Sequence, residues 1–302
     1  MYMRTKYWGS IPGSTLSDSD QRLLPLLSGL VLFKENLQTD TALFIGRIKM
    51  INPEIELAVD HEGGWVNRFG ATMQTRSAQF YADANDEAQY KEDLRHDFTI
   101  LKNLGIDRVF GPCIDIDLAK QGRPSKVIGG LGRSYGDSYA EIKRWASIYI
   151  EVAHGCGLKT CLKHFPDHGY SQEDSHLELP IDLRTQAELA PVLAVYQQLI
   201  EQYQIDMVML AHFALPNVTG HDGPITFDQG IKQMLPSVDT ITDCLGMKAI
   251  SGSAYERLVK AKQAGHQHVM LTHQPSDQLI EALLGLNKDQ VTQDNLAVTC
   301  SF

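Results

Sequence analysis

The stretch IKRWASIYIEVAHGCGLKTCLKH, from Ile142 to His164, contains one complete unit of the pattern that decides the fold of this chain. Its first part carries apolar side chains at spacings of three and four residues, which is typical of a helix that buries one face. The helix is predicted to end near Gly155 and Gly157, because glycine readily adopts the backbone conformation that ends helices. The apolar run Lys159–His164 then predicts a buried strand with polar residues at its end.

The same alternation recurs along the chain. Another helix is predicted from Tyr90 to Leu104, ending at Gly105, and two more over residues 185–202 and 254–264. Because strands that alternate with helices favour a parallel sheet, we expect a TIM-like (β/α)8 barrel, with one strand irregular or missing, in a single domain over residues 1–302. A doubly wound open sheet is the alternative. The strands predicted from short runs of Val, Ile and Leu are Leu30–Phe33, Glu56–Asp60, Arg108–Ile114, Lys159–His164, Asp206–His212, Thr240–Leu245 and His268–Thr272.

Composition narrows the class of protein. With a formal net charge of -10, the chain offers no basic face for nucleic acid or for an anionic membrane. It has no run of 18 apolar residues, and its first residues lack the apolar core of a signal peptide. Five scattered cysteines are expected to be reduced thiols. We therefore expect a soluble, monomeric, cytoplasmic protein that needs no cofactor and acts on a small ligand.

Polar side chains follow five of the predicted strands. They are Asp60 with His61, Asp115 with Asp117, Lys163 with His164, Ala211 with His212, and Asp243. In a barrel, the carboxyl ends of parallel strands meet around one mouth, and active sites lie there. The sequence therefore predicts that these groups surround a single site.

The segment KHFPDHGYSQEDSH, from Lys163 to His176, holds the densest group of titratable residues. Within it, the Asp174 carboxylate can accept a hydrogen bond from one ring nitrogen of His176 and favour the imidazolium form, so that the ring can donate a proton near neutral pH. A polar surface loop is the simpler alternative. A metal site built from His164, His168, Asp174 and His176 is a weaker alternative, because the adjacent Lys163 would repel a cation.

Other polar positions have two interpretations each. Asp243 could attack or stabilise a developing cation, although an aspartate after a strand is often a helix N-cap. Asp60, or Glu62 as the next candidate after it, could bind a ligand or belong to an ordinary turn, and Lys163 could form a structural ion pair. Arg133 lies in the glycine-rich loop IGGLGRSYG, which could present its guanidinium to ligand oxygens or simply be flexible.

Taken in order, the motifs of this chain resemble those of the family 3 glycoside hydrolases, specifically the compact β-N-acetylglucosaminidases with which bacteria recycle cell-wall fragments. The resemblance covers most of the chain, and the pairing of KHFP-x-HG with DSH is its most specific part. The motifs are GLVLFKEN, AVDHEGG, GPCIDID, IGGLGRSYG, KHFPDHG with EDSH, MLAHFALP, ITDCLGMKAISGS and the pair Ala264–Gly265.

This resemblance implies a barrel enzyme that hydrolyses a terminal β-linked N-acetylglucosamine with retention of configuration, acting on anhydromuropeptide fragments. By motif position, Asp243 is the nucleophile, and His176 with Asp174 is the acid/base that replaces the second carboxylate of most retaining glycosidases. The positions implied to hold the sugar are Asp60, Arg133, Lys163 and His164.

Four features depart from the family pattern. Asp167 stands where the family has glycine in KHFPGHG, and aspartate tolerates a positive φ better than most residues. Trp65 stands where an arginine is usual, the segment Phe227–Thr240 is shortened, and an aspartate after Ala264–Gly265 is missing. The alternatives that stay open are a divergent family 3 β-glycosidase or phosphorylase with another sugar preference, a sugar-binding protein without turnover, and a metal-dependent hydrolase.

Overall fold

A computed structural model describes residues 5–38, 40–170 and 177–286. The first element of the described residues is the short strand β1, and an alternation of strands and helices follows. The strands are β1 Lys6–Gly9, β2 Gly29–Leu32, β3 Glu56–Gly63, β4 Val66–Asn67, β5 Arg108–Cys113, β6 Lys159–Phe165, β7 Met207–Leu210, β8 Asp239–Thr242 and β9 His268–Met270. The α-helices are α1 Asp18–Leu23, α2 Thr41–Ile51, α3 Ala78–Ala84, α4 Glu87–Asn103, α5 Tyr139–Gly155, α6 Gln186–Tyr203, α7 Pro216–Thr219 and α8 Ala254–Gln263, and residues 276–286 are also helical.

Eight parallel strands close into a barrel. Strand β1 pairs with both β2 and β9, and β2 also pairs with β3, so the sheet has no open edge among these eight strands. Strand β4 only adds a short antiparallel hairpin to β3. The predicted barrel is confirmed, and the doubly wound open sheet is wrong.

The strand that the sequence left unplaced is β1. Its sequence, KYWG, contains no Val, Ile or Leu, so a search for aliphatic runs cannot find it. The side chain of Trp8 nevertheless fills the barrel interior and donates from Nε1 to Nδ1 of His268 at 2.9 Å. Burial of this one large side chain stabilises β1 in the way that aliphatic side chains stabilise the other strands.

Each barrel strand contributes to an interior core that is separate from the layer between strands and helices. Its members are Trp8, Val31, Ala58, Phe110, Cys161, Met207, Met209, Ile241 and Met270. At the amino-terminal ends of the strands, Arg108 is buried and bonds to Glu56, Asp206 and the carbonyl of Thr160. The barrel is therefore filled and closed at this end, which leaves the opposite end for a ligand.

The helix predictions are confirmed. Helix α4 is followed by Gly105 at φ 91°, and α6 begins at a capping box formed by Thr185 and Glu188. Between β7 and β8 the chain forms only the four-residue helix α7 and short 3-10 turns, which fits the shortened segment in the sequence. None of the helices in the described ranges is long and apolar enough to cross a membrane.

Candidate active site

A hollow of about 560 Å³ opens at the carboxyl ends of the barrel strands. Its lower wall is formed by the interior core, including Val31, Phe110 and Met270. The polar residues predicted from the sequence that line it are Asp60, Arg133, Lys163, His164 and Asp243. The four residues implied to hold a sugar and the residue implied to attack it therefore face the same space.

Lys163 lies at the centre of an ion-pair network in this hollow. Its Nζ is 2.8 Å from Oδ1 of Asp60 and 2.5 Å from Oε1 of Glu62. Asp60 also accepts from Arg68 at 2.7 Å. Burial would raise the pKa of Asp60, but Lys163 and Arg68 outweigh it and hold the pKa well below its usual range. Asp60 is thus an ionised acceptor with its orientation fixed from two sides.

Glu62 is buried and positions the guanidinium of Arg133. The two side chains form two parallel hydrogen bonds of 2.8 Å. Burial acts to raise the pKa of Glu62, but Arg133 and Lys163 together lower it to about 2. A carboxylate that stays ionised at neutral pH cannot donate a proton, so Glu62 is suited to positioning Arg133 and not to proton donation.

His164 is oriented by Asp115. Nδ1 of His164 lies 2.6 Å from Oδ2 of Asp115, and Nε2 lies 3.3 Å from a guanidinium nitrogen of Arg133. Asp115 also accepts the backbone N–H groups of His164 and His168. Burial opposes ionisation of Asp115, but the two histidines offset it and lower the pKa of this carboxyl. His164 therefore presents the Nε2 side of its ring toward the hollow.

Asp243 directly follows β8 and lies at the edge of the same hollow. Its Oδ1 accepts the backbone N–H of Cys244 at 2.7 Å, and its own N–H donates to the carbonyl of Leu210 on β7. The backbone of Asp243 is thereby fixed between two neighbouring strands. A helix N-cap role is excluded, because α8 begins at Ala254 with Ser253 as its cap.

Four of the polar residues at strand ends do not line the hollow, and one of them, Asp115, is fully buried as the partner of His164. His61 is buried on the other side of β3, where its Nε2 pairs with Asp97 of α4 at 3.0 Å. His212 is buried against Thr226 and the carbonyl of Cys244, and Asp117 accepts from the backbone of Ala119. The prediction that these groups share the mouth is wrong. For His61 the reason is that successive side chains of a strand point to opposite faces, and Asp60 before it faces the hollow. Asp174 and His176 lie outside the described residues.

The sequence suggests that Asp167 replaces glycine because aspartate tolerates a positive φ, but Asp167 does not adopt a positive φ. The non-glycine residues with positive φ in the described ranges are Asn85, Gln204 and His273. The Asp167 carboxylate is instead buried, where it accepts from Tyr139 at 2.5 Å, Arg184 at 3.2 Å and the N–H groups of Ile116 and Gly169. A side chain replaces glycine here because the surrounding residues supply four donors.

This environment also changes the acidity of Asp167. Burial raises its pKa, Arg184 opposes that effect, and the charge of Asp115 adds to it, which brings the pKa to about 6. The carboxyl therefore titrates near neutral pH, beside the segment that carries the predicted acid/base.

The geometry around His164 does not resemble a metal site. Cys113, Asp115 and His164 place possible ligand atoms within 4.8 Å of one another. However, two ligand atoms on a tetrahedral ion with bonds of about 2.1 Å lie about 3.4 Å apart. The 2.6 Å distance between Nδ1 of His164 and Oδ2 of Asp115 is that of a hydrogen bond.

Two functional contacts were missed from the sequence. The first is the contact between Arg68 and Asp60. A charged residue that follows so soon after an aspartate in a strand is a candidate partner for that aspartate. Asp115 was recognised only as a polar strand end, and its pairing with His164 was not foreseen. The contact between Asp115 and His164 joins strands that are distant in sequence, so no local spacing predicts it.

Comparisons with known proteins show the family of this chain. The family model described as glycosyl hydrolase family 3 N terminal domain matches residues 25–298. A β-hexosaminidase of Actinobacillus succinogenes is 31% identical over 93% of this chain and 84% of its own length. A β-hexosaminidase of Mannheimia succiniciproducens is 32% identical, over 88% of this chain and 80% of its own.

Among solved structures, NagZ from Neisseria gonorrhoeae in complex with N-trifluoroacetyl-D-glucosamine superposes with a TM-score of 0.81. It is 28% identical, and the match covers 93% of this chain and 85% of that protein. The chain belongs to glycosyl hydrolase family 3. Within this family it is an enzyme of the β-hexosaminidase class, as the resemblance predicted.

Proposed function

We propose that this protein is a retaining β-N-acetylglucosaminidase that removes the non-reducing terminal β-linked N-acetylglucosamine from anhydromuropeptides during peptidoglycan recycling. One observation carries the proposal: Asp243 lines the same hollow as Asp60, Arg133, Lys163 and His164. The complex of the gonococcal relative with an N-acylglucosamine analogue supports the choice of sugar.

In this proposal the ion-pair network holds the sugar. Asp60 accepts from two hydroxyl groups, while Lys163, Arg133 and the Nε2 side of His164 contact the oxygens of the ring substituents. These groups are already fixed by one another, so they orient the sugar without reorganising. Such fixed positions bring the anomeric carbon to the Asp243 carboxylate.

The chemistry follows the two-step retaining scheme. Asp243 attacks the anomeric carbon and forms a glycosyl-enzyme ester, while His176 protonates the leaving oxygen. The neutral imidazole then removes a proton from water, which attacks the anomeric carbon; the bond between that carbon and the Asp243 oxygen breaks, and the free carboxylate is regenerated. Asp174 orients the ring and stabilises its charged form. The roles of Asp174 and His176 rest on the sequence motif alone.

The proposal is tested by following an aryl β-N-acetylglucosaminide by proton NMR. The first sugar released is expected to be the β anomer, because two inversions restore the configuration. An α anomer as first product would contradict a covalent intermediate. The same assay with phosphate present separates hydrolysis from phosphorolysis, since a sugar 1-phosphate as main product would make the protein a phosphorylase.

Preference among substrates is tested with the anhydromuropeptide, a chito-oligosaccharide and an aryl glucoside. We expect the highest kcat/KM for the anhydromuropeptide and at most trace activity on the glucoside. We also propose a cytoplasmic location, since the four cysteines in the described ranges, Cys113, Cys156, Cys161 and Cys244, form no disulfide.

A further inference from the structure

Trp65 is the most exposed aromatic side chain at the rim of the hollow. Its relative exposure is 81%, whereas the other two tryptophans, Trp8 and Trp145, are 1% and 0% exposed. Leaving so large an apolar surface in water is unfavourable, so an exposed indole beside a ligand site indicates a contact made when the ligand binds.

The backbone holds Trp65 in a fixed place. It follows Gly63 and Gly64, which adopt φ values of 89° and 56° in the turn between β3 and β4. A Cβ atom on Gly63 would lie 2.1 Å from the carbonyl oxygen of Arg76, so the turn packs closely on that segment. The N–H of Gly64 donates to Thr75 at 3.1 Å. The indole is thus presented by a rigid turn rather than by a loose loop.

Trp65 also stands between two hollows. With Leu131, which is 36% exposed, it lines both the sugar-binding hollow and a neighbouring groove. This groove runs along residues 73–77 and three glycines of IGGLGRSYG, Gly129, Gly130 and Gly132. Among the described residues that line it, Arg76 is the cation and no carboxylate is present. The groove therefore suits a neutral or anionic group better than a cationic one.

The position of the bond that is cleaved indicates which part of the substrate lies in each hollow. Lys163 and His164 are buried in the first hollow, so the sugar that is cleaved off occupies its floor. The group on the other side of the bond must extend from that floor toward the rim. Trp65 and Leu131 form the part of that rim which continues into the second hollow, and the C–H face of a pyranose packs well on the electron-rich face of an aromatic ring.

We propose that Trp65, with Leu131, forms the subsite for the leaving group and selects substrates in which that group is itself a pyranose. The inference rests on the proposed function, because it assumes that the first hollow holds the terminal N-acetylglucosamine. It goes beyond that function by naming a residue of this chain that sets preference for the leaving group.

The test compares two substrates with the same terminal sugar. One is the β-1,4-linked dimer of N-acetylglucosamine, and the other is methyl β-N-acetylglucosaminide, whose leaving group is too small to reach Trp65. For Trp65→Ala, the ratio of kcat/KM for the dimer to kcat/KM for the methyl glycoside is expected to fall about 3- to 10-fold, which is the size of one aromatic contact. Trp65→Phe should keep the ratio within about twofold of the wild-type value. Leu131→Ala should lower it in the same direction by a smaller factor.

Met50→Ala serves as the matched control, because Met50 is 83% exposed on α2 and lies away from both hollows. Its ratio should equal that of the wild type. An unchanged ratio in Trp65→Ala, including an equal loss on both substrates, would overturn the inference and leave the proposed function standing. Absence of turnover of both substrates by the wild-type protein would overturn the proposed function and the inference with it.

Discussion

Lys163→Met tests whether the ion-pair network at the floor of the site is held by its central cation. The substitution keeps an unbranched side chain and removes one buried charge that contacts both Asp60 and Glu62. Removing one partner of a buried ion pair costs about 3–5 kcal/mol. Asp60 keeps Arg68 and Glu62 keeps Arg133, so we expect the free energy of unfolding to fall by an amount near the lower end, about 3 kcal/mol.

The loss should depend on pH in a defined direction. Lys163 helps to hold the pKa values of Asp60 and Glu62 below their ordinary values of 3.8 and 4.5. A depressed pKa stabilises the folded state above the ordinary pKa, and that stabilisation is lost as pH falls toward the folded value. The difference between wild type and variant should therefore be largest near neutral pH and should shrink between about pH 5 and pH 3.

Urea unfolding followed by circular dichroism, at pH 7 and at pH 3.5, measures this difference. Lys159→Met is the matched control, because Lys159 lies on the same strand with 55% side-chain exposure and only long ion pairs of 3.6 and 3.9 Å. Its effect should be below about 1 kcal/mol at both pH values. The reasoning is refuted if Lys163→Met costs no more than this control, or if its cost is the same at both pH values.

Three further predictions concern single carboxylates. Asp243→Asn should lower kcat by on the order of 10⁴-fold or more with an unchanged circular dichroism spectrum, and a loss below tenfold would remove this residue from the role of nucleophile. Asp115→Asn should raise KM more than it lowers kcat, because His164 loses its orienting partner; an effect on kcat alone would argue against this role. Asp167 has a raised pKa of about 6, so its carboxyl binds a proton more tightly in the folded state than in the unfolded state. The wild type should therefore lose stability relative to Asp167→Asn as pH rises from 4 to 7, by on the order of 3 kcal/mol. A difference in the free energy of unfolding that does not change with pH would contradict this.

The barrel could be predicted from the sequence because its long helices carry an apolar face, and three of them, α4, α5 and α8, end at or near a glycine. Strand β1 could not be predicted, because its burial depends on one tryptophan in a run without aliphatic residues. The open-sheet alternative could not be excluded for the same reason, since closure depends on the pairing of β1 with both β2 and β9.

The site was predictable to the extent that its residues follow strands. Asp60, Lys163 and Asp243 lie at strand ends and do reach one hollow. The sequence does not show to which side the residue next to such a strand end points. His61 and His212 point away from the hollow, although the sequence predicts them at its mouth. Partners that meet only after folding are not visible in local patterns.

Asp167 shows the same limit in another form. From the sequence it is a departure from a glycine motif, and backbone tolerance is the natural explanation. The structure instead surrounds its carboxylate with Tyr139, Arg184 and two backbone N–H groups. These donors come from segments that are distant in sequence, and they stabilise a buried carboxylate at a position where the family has glycine. A single sequence does not show that such donors meet.

The central claim is that a carboxylate oxygen of Asp243 forms a covalent bond to the anomeric carbon of the sugar. An N-acetylglucosaminyl fluoride with a second fluorine on C5 reacts through a destabilised cation, so the glycosyl-enzyme ester forms and is only slowly hydrolysed. Proteolysis and mass spectrometry of the treated protein should find one sugar on the peptide that contains Asp243, and none in Asp243→Asn. A modified peptide elsewhere in the chain, or turnover of the fluoride without any adduct, would contradict the central claim.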